Sequence, residues 1–150
     1  MTPPDLTIRP VLAGDFDRWL PLWLAYQRFY ETALPEAVTL TTWSRFLDPA
    51  EPMDAALAEW QGEAVGMVHF IEHRSCWTEG NYMYLQDLYT SDAARSQGVA
   101  SALIEHVGEQ ARQRGCSRVH WLTQEGNARA RALYDRVATR SGFIQYRQVL

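Results

Sequence analysis

The sequence predicts a mixed α/β fold, a largely antiparallel sheet flanked by helices, on three observations. Residues 55–75 alternate apolar and polar positions on either side of the turn Gln61-Gly62-Glu63, the pattern of a β-hairpin. Two stretches, near 15–30 and 99–114, repeat apolar residues at helical spacing. Beyond residue 80, strand-like and helix-like segments alternate, which adds crossovers behind the meander.

Taken in order, "LTIRPV" (6–11) reads as a first strand. Gly14-Asp15 supplies a turn and an Asp N-cap for a helix running to about Tyr30. That helix carries Trp19, Trp23, Tyr26, Phe29 and Tyr30 near i, i+4, i+7 and i+11. Two readings are open for the stripe: a core face, or a face whose end walls a pocket. "ALPEAV" (33–38) breaks the helix, and "TLTTWSRFL" (39–47) reads as a short second one. "AALAEW" (55–60) and "AVGMVHFIEHRS" (64–75) form the hairpin, and "NYMYLQDLYT" (81–90) a further strand. In the next helix Ala100, Leu103, Ile104, Val107 and Ala111 share one face, with Gly115 at the expected C-terminal cap. "RVHWLTQ" (118–124) reads as a buried strand, about 127–140 as a helix, and "GFIQYRQVL" (142–150) as a last strand.

Composition bounds the function. At 150 residues the chain is expected to be one domain, residues 1–150, able to bury a real core. Hydrophobic residues at 47% and charged residues at 21% are ordinary for a soluble globular protein. No apolar run approaches a membrane span, and "MTPPDLTIRP" has no secretory pattern, so no membrane partner and a cytoplasmic location are expected. A net charge of −4 argues against nucleic acid as the main partner. With only Cys76 and Cys116, neither a disulfide framework nor a cysteine zinc site is indicated, and no metal is expected.

The stretch from Arg95 to Ser101 carries the chemistry. It sets Gly98 at the start of a helix, where backbone N–H groups lack intrahelical partners and the dipole is positive. Those donors suit a phosphate or pyrophosphate. Gly98, Ala100 and Ser101 leave the backbone approachable, and Arg95 can add a charge-assisted bond. Neither G-x-x-x-x-G-K-[ST] nor G-x-G-x-x-G is present, which disfavours P-loop and Rossmann nucleotide sites.

Arg95-Ser96-Gln97-Gly98-Val99-Ala100 resembles the [RQ]-x-x-G-x-[GA] signature of the GNAT superfamily of acyl-CoA-dependent N-acyltransferases. "NARARALY" (127–134) is similar to the family's N-x-x-A-x-x-L-Y. The resemblance follows the order of elements from about residue 6 to 150 and is most specific over 82–143. It implies a central sheet splayed between its two central strands, about four flanking helices, acetyl-CoA as co-substrate, and a homodimer. "LYDR" at 133–136, "SGFI" at 141–144 and "YR" at 146–147 resemble a microbial subgroup, some fungal members of which acetylate histones or free amino acids. Gly142 stands eight residues after Tyr134 where the common pattern has four, which looks like one additional helical turn.

The resemblance also implies roles. The pyrophosphate is expected on backbone N–H groups over Arg95, Ser96, Gln97, Gly98, Val99, Ala100 and Ser101. The pantetheine arm is expected beside Leu88, Tyr89 and Thr90, with the Leu88 amide on the thioester carbonyl and Asn127 on the arm. Tyr134 is expected to protonate the departing thiolate. "LQDLY" (85–89) is similar to the "LEDFF" of diamine N-acetyltransferases: Asp87 matches the second acid, while Gln86 replaces the first. A carboxamide takes no proton, so the base is left to a water chain from Asp87 or Glu31. Gln86, Asp87, Tyr30 and Glu31 are the expected acceptor residues. Together these imply acetyl transfer to a primary amine, small molecule or peptide. Another acyl-CoA, a protein acceptor, or a non-catalytic CoA-binding regulatory domain are the alternatives. "HFIEH" (69–73) matches a zinc-protease pattern, but that pattern works on a helix and this one lies in a strand-like run.

Overall fold

The computed structural model describes residues 3–150. One five-stranded sheet runs in the order β1-β2-β3-β4-β5, comprising β1 (Thr7–Pro10), β2 (Met53–Trp60), β3 (Glu63–His73), β4 (Tyr82–Thr90) and β5 (Arg118–His120). Neighbours are antiparallel from β1 to β4, and β5 joins β4 in parallel. The helices are α1 (Phe16–Phe29), α2 (Glu36–Leu47), α3 (Val99–Gln113) and α4 (Ala128–Val137). None is long and apolar enough to cross a membrane among the described residues.

Strand alternation divides the core into two layers. On one face of the sheet Leu57 and Met67 meet Trp19, Leu22 and Trp23 of α1 and Trp43 of α2. On the other, Val68, Phe70, Met83 and Leu85 meet Val99, Leu103, Val107 and Ala111 of α3. Leu103, Val107 and Ala111 are core as the helical spacing predicts, while Val99 is buried in place of Ala100, which lines the cavity described below. Gly66 lets α3 come close: a Cβ there would lie 2.9 Å from Val99 Cγ1 and 3.0 Å from the Tyr89 carbonyl oxygen.

Several boundaries differ from expectation. Asp15 does not cap α1 with its side chain. Its carboxylate instead accepts from Arg9 Nη1 (2.7 Å), Arg9 Nη2 (2.9 Å) and the Leu12 amide (2.7 Å), which ties β1 to the start of α1. The second helix begins at Glu36 because Pro35, at φ −57°, sits just ahead of its first turn, where no amide is needed.

The larger differences are C-terminal. The strand expected over 118–124 is three residues long and not buried. The helix stops at Val137, and Ala138 is already extended. Residues 142–150, expected as a last strand, join no sheet.

Candidate active site

β4 and β5 pair only from Tyr82 with Arg118 to Tyr84 with His120. Beyond that the two strands part, so the second half of β4 has β3 on one side only. A cavity of about 460 Å³ opens there. Leu88, Tyr89 and Thr90 form one wall, residues 94–101 the floor, α4 the far wall, and Tyr26, Phe29 and Tyr30 the rim. Its volume falls within the roughly 300–1,000 Å³ of small-molecule sites.

The floor is held from both ends. Ala94 and Val99 are each 1% exposed and anchor in the core beneath α3. Between them Ser96 (φ 64°) and Gly98 (φ 79°) take left-handed backbone conformations. Gly98 is the N-cap of α3, so the free amides of the first turn open onto the cavity. Only the backbone of Val99 is available to a ligand, since its side chain is core. Arg95 pairs with exposed Asp92 at 3.0 Å, a surface contact worth little, and is free to turn toward an anion. Thr90 Oγ1 is buried without a hydrogen-bond partner, a polar atom left for whatever occupies the cavity. Gln97 is the one residue of the expected phosphate segment that does not line it.

On the far wall, Asn127 caps α4 by accepting from the Ala130 amide at 3.3 Å, which leaves its amide nitrogen as a donor. Tyr134 faces the cavity one helical turn past Ala130, its ring edge-on to Trp121 at 5.5 Å. Burial, then the nearby Tyr30, pushes its phenol above the ordinary tyrosine range, so it is protonated at neutral pH. Arg129 and Arg136, which the motif reading passed over, bring two further cations to this wall.

The acceptor residues are less gathered. A one-residue bulge in β4 sets Phe70 opposite Leu85 and His69 opposite Asp87, leaving Gln86 as the extra residue. The alternation therefore reverses: Leu85 joins the α3 layer, while Asp87 turns to the α1 side. Trp19 Nε1–H donates to His69 Nε2 at 2.9 Å. An indole only donates, so that nitrogen must accept and the ring proton lies on Nδ1. Nδ1–H in turn donates to Asp87 Oδ2 at 2.9 Å. Tyr26 stands beside Asp87: burial first, then the Asp87 charge and Tyr30, pushes its phenol far above the ordinary range. Tyr26 and Tyr30 meet edge to face at 5.0 Å, so a row of polar groups runs from Trp19 through His69, Asp87 and Tyr26 toward Tyr30 at the rim. Gln86 is exposed, and Glu31 is an exposed residue past the end of α1 at φ 55°; neither lines the cavity.

His69 is the functional candidate that motif reading missed, because "HFIEH" drew it into a zinc pattern. The available signal was its place on the core-facing parity of a buried strand. Both its ring nitrogens are engaged, and no cluster of three or more potential ligands lies among the described residues.

A strand opened beside a left-handed glycine at a helix N-terminus, with a tyrosine across the gap, brings together the elements that the GNAT resemblance singles out. The family model for the acetyltransferase (GNAT) family matches residues 17–138, and the chain belongs to that family as an N-acetyltransferase. A relative from Saccharomyces cerevisiae, the D-amino-acid N-acetyltransferase HPA3, is 34% identical over 145 residues, covering 95% of this chain and 90% of that one. The thialysine N-epsilon-acetyltransferase of Caenorhabditis elegans is 37% identical over 75 residues, half of this chain and 46% of its own. Among solved structures, AAC(6')-Iy in complex with the bisubstrate analogue CoA-S-monomethyl-acetylneamine superimposes with a TM-score of 0.82 at 18% identity, covering 97% of this chain and 99% of that one. At that identity the likeness is one of fold.

Proposed function

We propose that residues 1–150 act as one catalytic domain that moves an acetyl group from acetyl-CoA to a primary amine by direct attack, with both substrates bound. The observation that carries this is one cavity joining an anion-binding helix start, an opened strand and a protonated tyrosine. The residues fit the donor. The amides at Ser96–Ser101, with Arg95 and the basic side chains of α4, suit the phosphates; Thr90 and Asn127 offer polar atoms along the pantetheine path. Acetyl-CoA supplies an activated thioester. The Leu88 N–H donates to its carbonyl and stabilises the developing oxyanion. Tyr134 donates its proton to the departing sulfur. The attacking amine releases its proton to Asp87 by way of the Tyr26 hydroxyl, with His69 holding the carboxylate in place. A regulatory CoA-binding domain would need the floor but not Tyr134 at the cavity wall.

The acceptor we propose is a small cationic amine, and free amino acids are the first class to test, because the yeast and nematode relatives are named for amino-acid acceptors. The reaction is assigned to the cytoplasm and to a homodimer, without metal, nucleic acid or membrane. The test is release of free thiol from acetyl-CoA with panels of amino acids, polyamines, aminoglycosides and basic peptides. Amine-dependent thiol release is expected for one class. Tight acetyl-CoA binding with no acceptor in any panel would favour the regulatory reading.

A further inference from the structure

The face of the sheet that carries Asp87 continues past the bulge onto β5. Met83 and Leu85 face α3, so Tyr82 and Tyr84 turn to the α1 side. Their register partners on β5, Arg118 and His120, share that side. The helices α1 and α2 cover this face over β2 and β3. Tyr82, Tyr84 and His120 are half-buried and Arg118 is exposed, which leaves an open strip leading to Asp87. The Arg118 guanidinium lies over the Tyr82 ring, 3.8 Å from its centroid. Such stacking holds a long side chain in one place and leaves its N–H fork free. Among the described residues no carboxylate pairs with Arg118. The histidines beside it are occupied with each other. His73 Nδ1–H donates to the Arg74 carbonyl at 2.8 Å, so its Nε2 accepts the Nε2–H of His120 at 2.9 Å. Burial, then His73 and Arg118, holds His120 below the ordinary histidine range, and it adds no charge at neutral pH. The strip therefore has unlike ends, a carboxylate at Asp87 and an unpaired guanidinium at Arg118. Burial and then Asp87 push the Tyr84 phenol between them up, while Arg147 pulls it down, so a second guanidinium bears on the same strip.

We propose that Arg118, seated on Tyr82, receives a carboxylate of the acceptor while the acceptor's amine reaches the thioester beside Asp87. This rests on the transferase reading above and names the chemistry of its acceptor. The separation of the two ends sets the class. From Asp87 back to Tyr82, with one residue bulged, β4 rises roughly 13–17 Å. A hydrogen bond of ~3 Å at each end leaves about 7–11 Å between amine and carboxylate. An α-amine, one carbon away from its own carboxylate, does not span that gap. The terminal amine of a lysine-like chain does. The acceptor is accordingly an ω-amino acid, a zwitterion with its charges far apart. A polyamine would instead bring a second cation against Arg118 and gain nothing there.

The test compares lysine with cadaverine, which is lysine without its carboxylate, in thiol release from acetyl-CoA by the whole chain. Lysine should show a KM about tenfold below that of cadaverine, the weight of one charge-assisted contact. Magnetic resonance of the product should find the acetyl group on the ε-nitrogen. This contrast is read in the unaltered protein and needs no variant. Arg118→Gln should then raise the KM for lysine by roughly tenfold and close the gap with cadaverine. Arg118→Lys should recover part of the preference, since it keeps the charge but not the planar fork. Acetyl-CoA affinity by calorimetry shows that each variant is folded. Equal KM values for the two amines in the unaltered protein would overturn the proposal. So would acetyl on the α-nitrogen, no transfer to lysine, or an Arg118→Gln variant that keeps the preference. The two readings fail separately: transfer to cadaverine without preference for lysine removes the carboxylate site and leaves the transferase standing, whereas no transfer to any amine removes both.

Discussion

The two walls of the cavity are built differently. The β4 side is fixed by the core: Ala94 and Val99 pin the floor, Gly66 admits α3 at close range, and Trp19 holds His69 and through it Asp87. On the α4 side no residue is buried, and one ring contact joins Tyr134 to Trp121. A rigid wall suits binding, where pre-set donors cost little to organise, whereas a loosely seated one can adjust during turnover. The comparison sets a pre-arranged wall, which carries the floor, Leu88 and Asp87, against a loosely seated one, which carries Tyr134.

The largest effects should come from the buried row. Asp87→Asn should lower turnover by about 10²–10⁴-fold at neutral pH, the usual weight of a general base. The deficit should shrink as pH rises toward the amine's own pKa, where the free base supplies itself. A pH-independent deficit would make Asp87 structural. Trp19→Ala should cost about 3–5 kcal/mol in denaturant unfolding, since it empties a fully buried site, and it also removes the donor to His69. A loss under ~1 kcal/mol would mean the α1 layer is not the anchor described.

Gly98→Val tests the floor. Acetyl-CoA at ~100 times its dissociation constant should stabilise the native protein by about 2.7 kcal/mol. Valine disfavours the left-handed backbone at this position, so most of that stabilisation should vanish. An unchanged ligand-induced shift would put the phosphates elsewhere.

A smaller effect should appear in acid. Hydrogen bonds from Arg9, with help from the Leu12 amide and against the cost of burial, lower the Asp15 carboxyl to about 2. A depressed carboxyl contributes stability that is full above the unfolded value near ~3.9 and is lost as pH falls through the folded one. The window therefore lies between about pH 4 and 2, worth on the order of 2 kcal/mol. Asp15→Asn should flatten unfolding free energy across that window, and an unaltered acid slope would remove the Arg9 pair as its source.

Period and spacing were enough for α3, the hairpin and the place of Gly98 at a helix start, because these depend on local pattern; Tyr134 was singled out only by the family resemblance. The aromatic stripe satisfied both readings at once: Trp19 and Trp23 are core, while Tyr26, Phe29 and Tyr30 reach the cavity. The Asp87–His69 pair was illegible, since it depends on a bulge at Gln86 that reverses strand parity. The C-terminal strand was misread for a related reason. Apolar content in 142–150 says that a strand can form, but not that a sheet edge meets it.

The central claim is that Tyr134, on the loosely seated wall, serves the departure of the thiolate and not the hold on the donor, and Tyr134→Phe tests it most directly. Acetyl-CoA affinity by calorimetry should be compared with kcat at saturating donor, on the same preparation. The phenylalanine keeps the ring against Trp121 and removes the proton donor. The dissociation constant should hold within about twofold while kcat falls by roughly 10²–10⁴-fold. Undiminished kcat across pH, or an affinity loss as large as the loss in rate, would contradict the account.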